Sequence, residues 1–132
     1  MRRGDRKDEF DTGATRDTDD GKGRPSLITS TLIHRTAVHL AKGEKHYGKN
    51  NWTKGMPFCR TADSLIRHIF QWLDQDEVED HLAAIVCNAM FLMYYESECR
   101  ELDDRGEKRI PTPALTFNEL NAKINEGGMT RG

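Results

Sequence analysis

The stretch from Leu82 to Tyr95 is apolar apart from Asn88, and it constrains the fold more than any other part of the chain. A run of this length suits a helix, and its apolar residues fall on all sides of that helix, so other elements must enclose it. It is too short to cross a bilayer. A central helix is therefore expected from Glu77 to about Glu101. Upstream, Leu65, Ile66, Ile69, Phe70, Trp72 and Leu73 form a wide apolar helical face, with Ser64, Arg67, His68 and Gln71 on the opposite stripe. That helix is expected to begin near Thr61, with Asp63 at the positive end of its dipole. The short acidic link Asp74-Gln75-Asp76 makes it an antiparallel neighbour of the central helix.

A further helix is expected from Ser30, its available N-cap, because Ile33, Ala37, Leu40, Ala41 and Glu44 recur at helical spacing; it fades at Gly48. The Gly, Asn and Pro content of Gly48 to Pro57 predicts a loop, and a Trp in so polar a loop invites a functional role. Residues 1–26 hold 14 charged side chains, equally split in sign, with only Met1, Phe10 and Ala14 as apolar members, so alone they form a disordered arm. Residues 27–102 carry the helical core. Residues 103–132 are expected to hold a charged surface loop, Asp103 to Pro113, and a short last helix. In that helix Thr116 and Glu119 have capping-box spacing, Phe117, Leu120 and Ile124 share a face, and Gly127-Gly128 supplies the stop. No strand is expected, so the fold class is all-α with a flexible N-terminal arm.

With 132 residues, 36% of them hydrophobic, the chain has room for one modest core. Twenty basic residues against 22 acidic ones leave a formal charge of -2, which indicates neither a nucleic-acid nor a membrane partner. The N-terminus is charged where a signal peptide would be apolar, so a soluble, cytoplasmic protein is expected. Cys59, Cys87 and Cys99 are odd in number, widely spaced and without a CxxC pair, which signals neither a disulfide framework nor a zinc site. Ordinary structural thiols are expected, Cys87 acting as a small hydrophobe in the apolar run.

Chemistry is suggested first by Glu77-Val78-Glu79-Asp80-His81. Residues three apart share a helical face, so Glu77 and Asp80 would point together, and further steps through Ala84 lead to Asn88. Two carboxylates so placed can share hard divalent cations, with a phosphorylated substrate as the bridge. The alternative is that these acids only complement a helix N-terminus and that Asn88 bonds a neighbouring helix. His68 and His81 read more readily as structural histidines than as ligands. Lys45, Lys49 and Lys54 surround Asn51 and Trp52, where they would receive phosphates or flank a stacked base, or else be plainly solvated. No Walker loop, GxGxxG or GxSxG pattern is present.

Thr12-Gly13-Ala14-Thr15-Arg16-Asp17, Gly21-Lys22-Gly23-Arg24, Tyr47-Gly48, Asn51-Trp52, Lys54-Gly55, Arg67-His68 and Glu79-Asp80-His81-Leu82-Ala83-Ala84 follow in order from about Asp11 to Glu96. This order resembles the phage-type dATP/dGTP diphosphohydrolases, within the MazG-like all-α nucleoside triphosphate pyrophosphohydrolases. The resemblance implies a helical bundle that holds Mg²⁺ or Mn²⁺ on carboxylates. It implies hydrolysis of a purine (d)NTP to monophosphate and pyrophosphate, with water attacking the α-phosphorus. It also implies a homodimer or homotetramer in a bacterial host cytoplasm. The superfamily's ExxD pair matches Glu77 and Asp80, while its ExxE pair has no match here. The remaining ligands are therefore sought among Glu44, Asp63 and His68. Nucleotide contacts are expected from Asn51, Trp52, Lys54, Arg67, Asn88, Lys45 and Tyr47, and from Arg16, Lys22 and Arg24 if the arm closes over the nucleotide. A catalytically silent helical module is the alternative.

Overall fold

A computed structural model describes residues 6–108 and 116–125 of the chain. They divide into two compact units, residues 28–108 and residues 6–27 together with 116–125. The protein is all-α, with one small strand pair that departs from the expectation of no strands. Strands β1 (Lys7–Glu9) and β2 (Thr15–Asp17) pair antiparallel, Asp8 opposite Arg16. The sequence Lys-Asp-Glu has no β-forming character; backbone pairing holds the hairpin, with an Arg6–Asp20 ion pair and the Asp8 carboxylate accepting the Asp19 N–H beside it. The described part of the arm is thus an ordered turn structure, with Gly13 at φ 92 where a side chain would be strained. Helix α4 (Phe117–Asn125) starts as predicted, with the Thr116 hydroxyl accepting the Glu119 N–H. Gly127, Gly128 and residues 109–115 of the predicted loop lie outside the described residues.

The larger unit contains α1 (Ser30–Tyr47), α2 (Phe58–Leu73) and α3 (His81–Glu98). Helix α1 is capped by Thr29, one residue before the expected Ser30, and ends at Gly48, whose N–H donates to the Glu44 carbonyl. The loop after it contains a short 3₁₀ turn, Asn51–Lys54. Helix α2 begins three residues earlier than expected, at Phe58 after Pro57. Pro57 accepts the first helical bond from the Thr61 N–H, and the Asp104 carboxylate, 45 residues away, accepts the free Cys59 N–H at 2.9 Å. Helix α3 begins later than expected. Asp80 is its N-cap and accepts the Ala83 N–H, so Glu77 lies in the connection and shares no helical face with Asp80. A carboxylate offered to free amides competes with continuing the helix through Asp80, which explains the shift.

Helices α2 and α3 are antiparallel neighbours, as predicted. Phe58 stacks near Tyr95, the Asn88 amide reaches Ser64, and His68 meets His81. Ala83, Ala84 and Cys87 are buried along α3, and their small volume lets α1 and α2 pack close on either side. The principal core lies toward the C-terminal end of α3, where Phe58, Tyr95 and Cys99 are buried beneath Trp52, Met56, Phe91, Leu92 and Leu102. Tyr95 is fully buried and donates its hydroxyl to the Trp52 carbonyl at 2.6 Å, and burial pushes its pKa up to about 12. The wide apolar stripe of α2 does not face this core. Ile66, Phe70, Trp72 and Leu73 are exposed, while Thr61, Ser64 and His68 turn inward toward α3. No helix among the described residues is long and apolar enough to cross a membrane.

Candidate functional site

The polar corner of the unit is the turn between α2 and α3. His68 comes from α2, His81 opens α3, and Asp76 and Glu79 come from the connection. The two Nδ1 atoms are 2.9 Å apart, and His81 Nε2 lies 2.6 Å from Asp76 Oδ2. His81 Nε2–H therefore donates to Asp76, which leaves the His81 Nδ1 lone pair facing His68. Glu79 Oε1 stands 3.7 Å from His68 Nδ1 and 3.8 Å from His81 Nδ1. Burial lowers the His68 pKa, and the neighbouring His81, His39 and Arg67 act in the same direction against Glu79. A neutral His68 follows at pH 7. Among the described residues, His68, Glu79 and His81 are the group of three with ligand atoms converging closely enough to hold a metal ion.

Beside them Asp80 is held by Arg35 of α1. Its Oδ2 accepts from Arg35 Nε at 2.8 Å and its Oδ1 accepts from Nη2 at 2.6 Å, a fork that fixes both oxygens. The Arg35 hydrogen bond, helped by the Ala83 N–H, lowers the Asp80 pKa to about 2. A cavity of about 380 Å³ is lined here by Glu77, Glu79, Asp80, Arg35, Lys42 and His81. The carboxylate pair therefore lines one cavity, but Asp80 is committed to a guanidinium and Glu77 is exposed in the connection. A cation held by this pair would share the Asp80 carboxylate with Arg35 and the Ala83 N–H. Glu44 and Asp63 are not brought to them: Glu44 borders a different cavity and Asp63 is exposed on α2.

That second cavity, of about 800 Å³, lies between α1 and the α2–α3 hairpin. It gathers several residues singled out in the sequence, namely Tyr47, Asn51, Trp52, Arg67 and Asn88, together with Glu44. Trp52 forms its wall rather than a free platform, stacked on Phe91 at 4.7 Å and edge-on to Tyr94 at 5.2 Å. Asn88 also spends one amide hydrogen on the Ala84 carbonyl at 2.9 Å. Lys45 and Lys54 are exposed and do not line the cavity. Arg16, Lys22 and Arg24 belong to the other unit. Sequence reasoning missed Arg35, Lys42, Arg60, Asp76 and Glu79. A signal existed for Arg35 and Lys42, which are two helical turns apart on one face of α1.

A cleft of this volume in an all-α unit, with an aromatic wall, side-chain amides and guanidinium groups, has the make-up of a small-ligand pocket. The dATP/dGTP diphosphohydrolase, N-terminal, family matches residues 12–105, most of the chain, and this chain belongs to that family. A curated relative, a dATP/dGTP diphosphohydrolase of Salmonella phage PMBT28, is 30% identical over 92 residues. The match covers 66% of this chain and 31% of that relative, so the chain spans about a third of the relative's length. No solved structure matches the chain.

Proposed function

We propose that this chain hydrolyses a purine deoxynucleoside triphosphate, dATP or dGTP, to the monophosphate and pyrophosphate. The observation that carries the proposal is the cleft between α1 and the hairpin, where Trp52 and Phe91 offer a flat apolar wall and Arg60 and Arg67 offer positive charge. A nucleotide presents the matching pair of features, a planar base and an anionic tail. Asn51 supplies an amide donor and acceptor, and Asn88 an amide oxygen acceptor, that distinguish one purine edge from another. The phage relative, a dATP/dGTP diphosphohydrolase, supports the same reading. A divalent cation is part of the proposal, but the Glu77 and Asp80 pair is not assigned as its holder.

Assembly into a homodimer or homotetramer belongs to the same proposal, supported by Phe70, Trp72 and Leu73, which are each at least half exposed. Contiguous apolar surface of this kind marks a protein contact, and light scattering at micromolar concentration should give a mass at least twice that of the chain. The catalytically silent alternative is favoured by one observation, the capture of Asp80 by Arg35. Incubation with dATP, dGTP and ribonucleotides, with Mg²⁺ or Mn²⁺, separates the two. Monophosphate and pyrophosphate are expected. Absence of turnover with any nucleotide and metal, or release of inorganic phosphate, would overturn the hydrolase reading.

A further inference from the structure

The α2–α3 turn brings two imidazole nitrogens and a carboxylate oxygen to one point from segments separated in the chain. His68 Nδ1, His81 Nδ1 and Glu79 Oε1 stand 2.9, 3.7 and 3.8 Å from one another. A point equidistant from three atoms so separated lies about 2.0 Å from each, which is the bond length of Zn²⁺ to imidazole nitrogen and carboxylate oxygen. The arrangement is electron-rich. Asp76 accepts the His81 Nε2–H hydrogen bond, so the Nδ1 lone pair points at a second ring nitrogen and stands near a carboxylate. One proton on His68 can join the two rings, but it leaves the Glu79 oxygen with no hydrogen from either ring. A cation satisfies all three atoms at once.

We propose that His68, His81 and Glu79 bind one divalent transition-metal ion of the zinc class, with Asp76 as the outer partner that fixes the His81 ring. The donor set selects the ion: two imidazoles and one carboxylate suit borderline ions, whereas Mg²⁺ demands an octahedron of oxygens. The carboxylate behind His81 is the customary support of a metal-bound imidazole, setting its tautomer and raising its basicity. Burial serves the same end. The His81 side chain is 1% exposed and that of His68 16%, while Glu79 at 50% opens the group to solvent. Three protein ligands leave at least one position unfilled, as in catalytic rather than structural sites. Glu79 and His81 also line the cavity that holds Arg35 and Lys42, so the unfilled position adjoins a basic surface suited to an anionic ligand.

The test uses the full chain freed of metal by chelation and titrated with Co²⁺ at neutral pH without nucleotide, so its outcome does not depend on hydrolysis. One Co²⁺ per chain, visible d–d absorption and displacement by Zn²⁺ are expected. His68→Gln and Glu79→Gln change groups that are partly exposed, and circular dichroism checks that both variants fold. Asp76→Asn should weaken binding about 10–100-fold, as loss of an outer partner does, and His68→Gln should weaken it further. Paramagnetic broadening should strike the His68 and His81 rings and spare His34 and His46. Failure of the wild-type chain to bind Co²⁺ or Zn²⁺ at micromolar concentration would overturn the site. So would equal affinity in a folded His68→Gln variant, or broadening confined to the other histidines.

Discussion

Where α2 begins and α3 ends, the two helices meet through Phe58, Tyr95 and Cys99; at the turn that joins them, they meet through His68, His81 and surrounding carboxylates. The first contact is sealed by Trp52, Met56 and Leu102, and its one polar group, the Tyr95 hydroxyl, is satisfied by a backbone carbonyl. The second is built from groups that cost free energy to bury unless something binds them. One hairpin thus holds a stabilising end and an end whose chemistry exceeds what packing requires. Stability should therefore respond most to changes at the aromatic end, and metal binding to changes at the polar end.

The largest effect is expected from Tyr95→Ala, which empties the buried centre of the aromatic end; a loss of about 3–5 kcal/mol should appear in urea unfolding. An effect below 1 kcal/mol would break the comparison, because the stability would then reside elsewhere. Gly55→Ala comes next. Gly55 has φ 99, and an added Cβ would lie 2.6 Å from Leu102 Cδ1, so both strain and overpacking apply. A loss of about 1–3 kcal/mol is expected, read from the same denaturation curves.

Arg105 sharpens the comparison at lower amplitude. Its guanidinium lies 5.4 Å from the Phe58 ring centre and its hydrogen bond lowers the Asp103 pKa to about 2. A carboxylate depressed in the folded state stabilises it above its unfolded pKa of about 3.9, and that contribution is lost as pH falls toward 2. Arg105→Ala should raise the Asp103 pKa toward the ordinary carboxylate range in an NMR titration and weaken resistance to acid between those limits. High salt should narrow the difference between variant and wild type, because the pair is at the surface. The smallest change belongs to the polar end, where Gln75 has φ 61 after the last turn of α2. Gln75→Gly should raise stability by about 0.5–1 kcal/mol by relieving the left-handed conformation, measurable as a higher Tm.

The helices were legible because their signals are local. The unbroken apolar run could only be enclosed, and Gly48 marked the end of α1 as its backbone required. Helix starts were less legible. Nothing local to Phe58-Cys59-Arg60 resembles a cap, since the carboxylate that accepts the Cys59 amide is Asp104, 45 residues away. Glu77 to Asp80 has the acidic composition of a first helical turn, and only the fold reveals that Asp80 stops short as a cap and turns to Arg35. The direction of the α2 apolar stripe was misleading for a related reason. Amphipathicity says that a face is to be covered, not which element covers it.

The candidate site followed the same rule. Tyr47, Asn51, Trp52, Arg67 and Asn88 were named from the sequence and border one cavity, though Trp52 is also a packing residue. His68 and His81 were read singly as structural histidines, and their pairing needs the hairpin register. A trace of it is present: they lie six residues on either side of Asp74-Gln75, the positions an antiparallel turn brings together. Arg35 was hidden because its partner Asp80 is 45 residues away.

The division of the hairpin into a packing end and a working end is tested most directly by mapping nucleotide binding onto the backbone. Isotope-labelled protein is titrated with dGTP or dATP in the presence of divalent metal, and amide shifts are followed residue by residue. The largest changes are expected from nucleotide at Trp52, Arg60, Arg67 and Asn88 along the cleft and from metal at His68 and His81, with Tyr95, Cys99 and Leu102 unmoved. Shifts concentrated at Tyr95, Cys99 and Leu102, or no shifts at millimolar nucleotide, would contradict it.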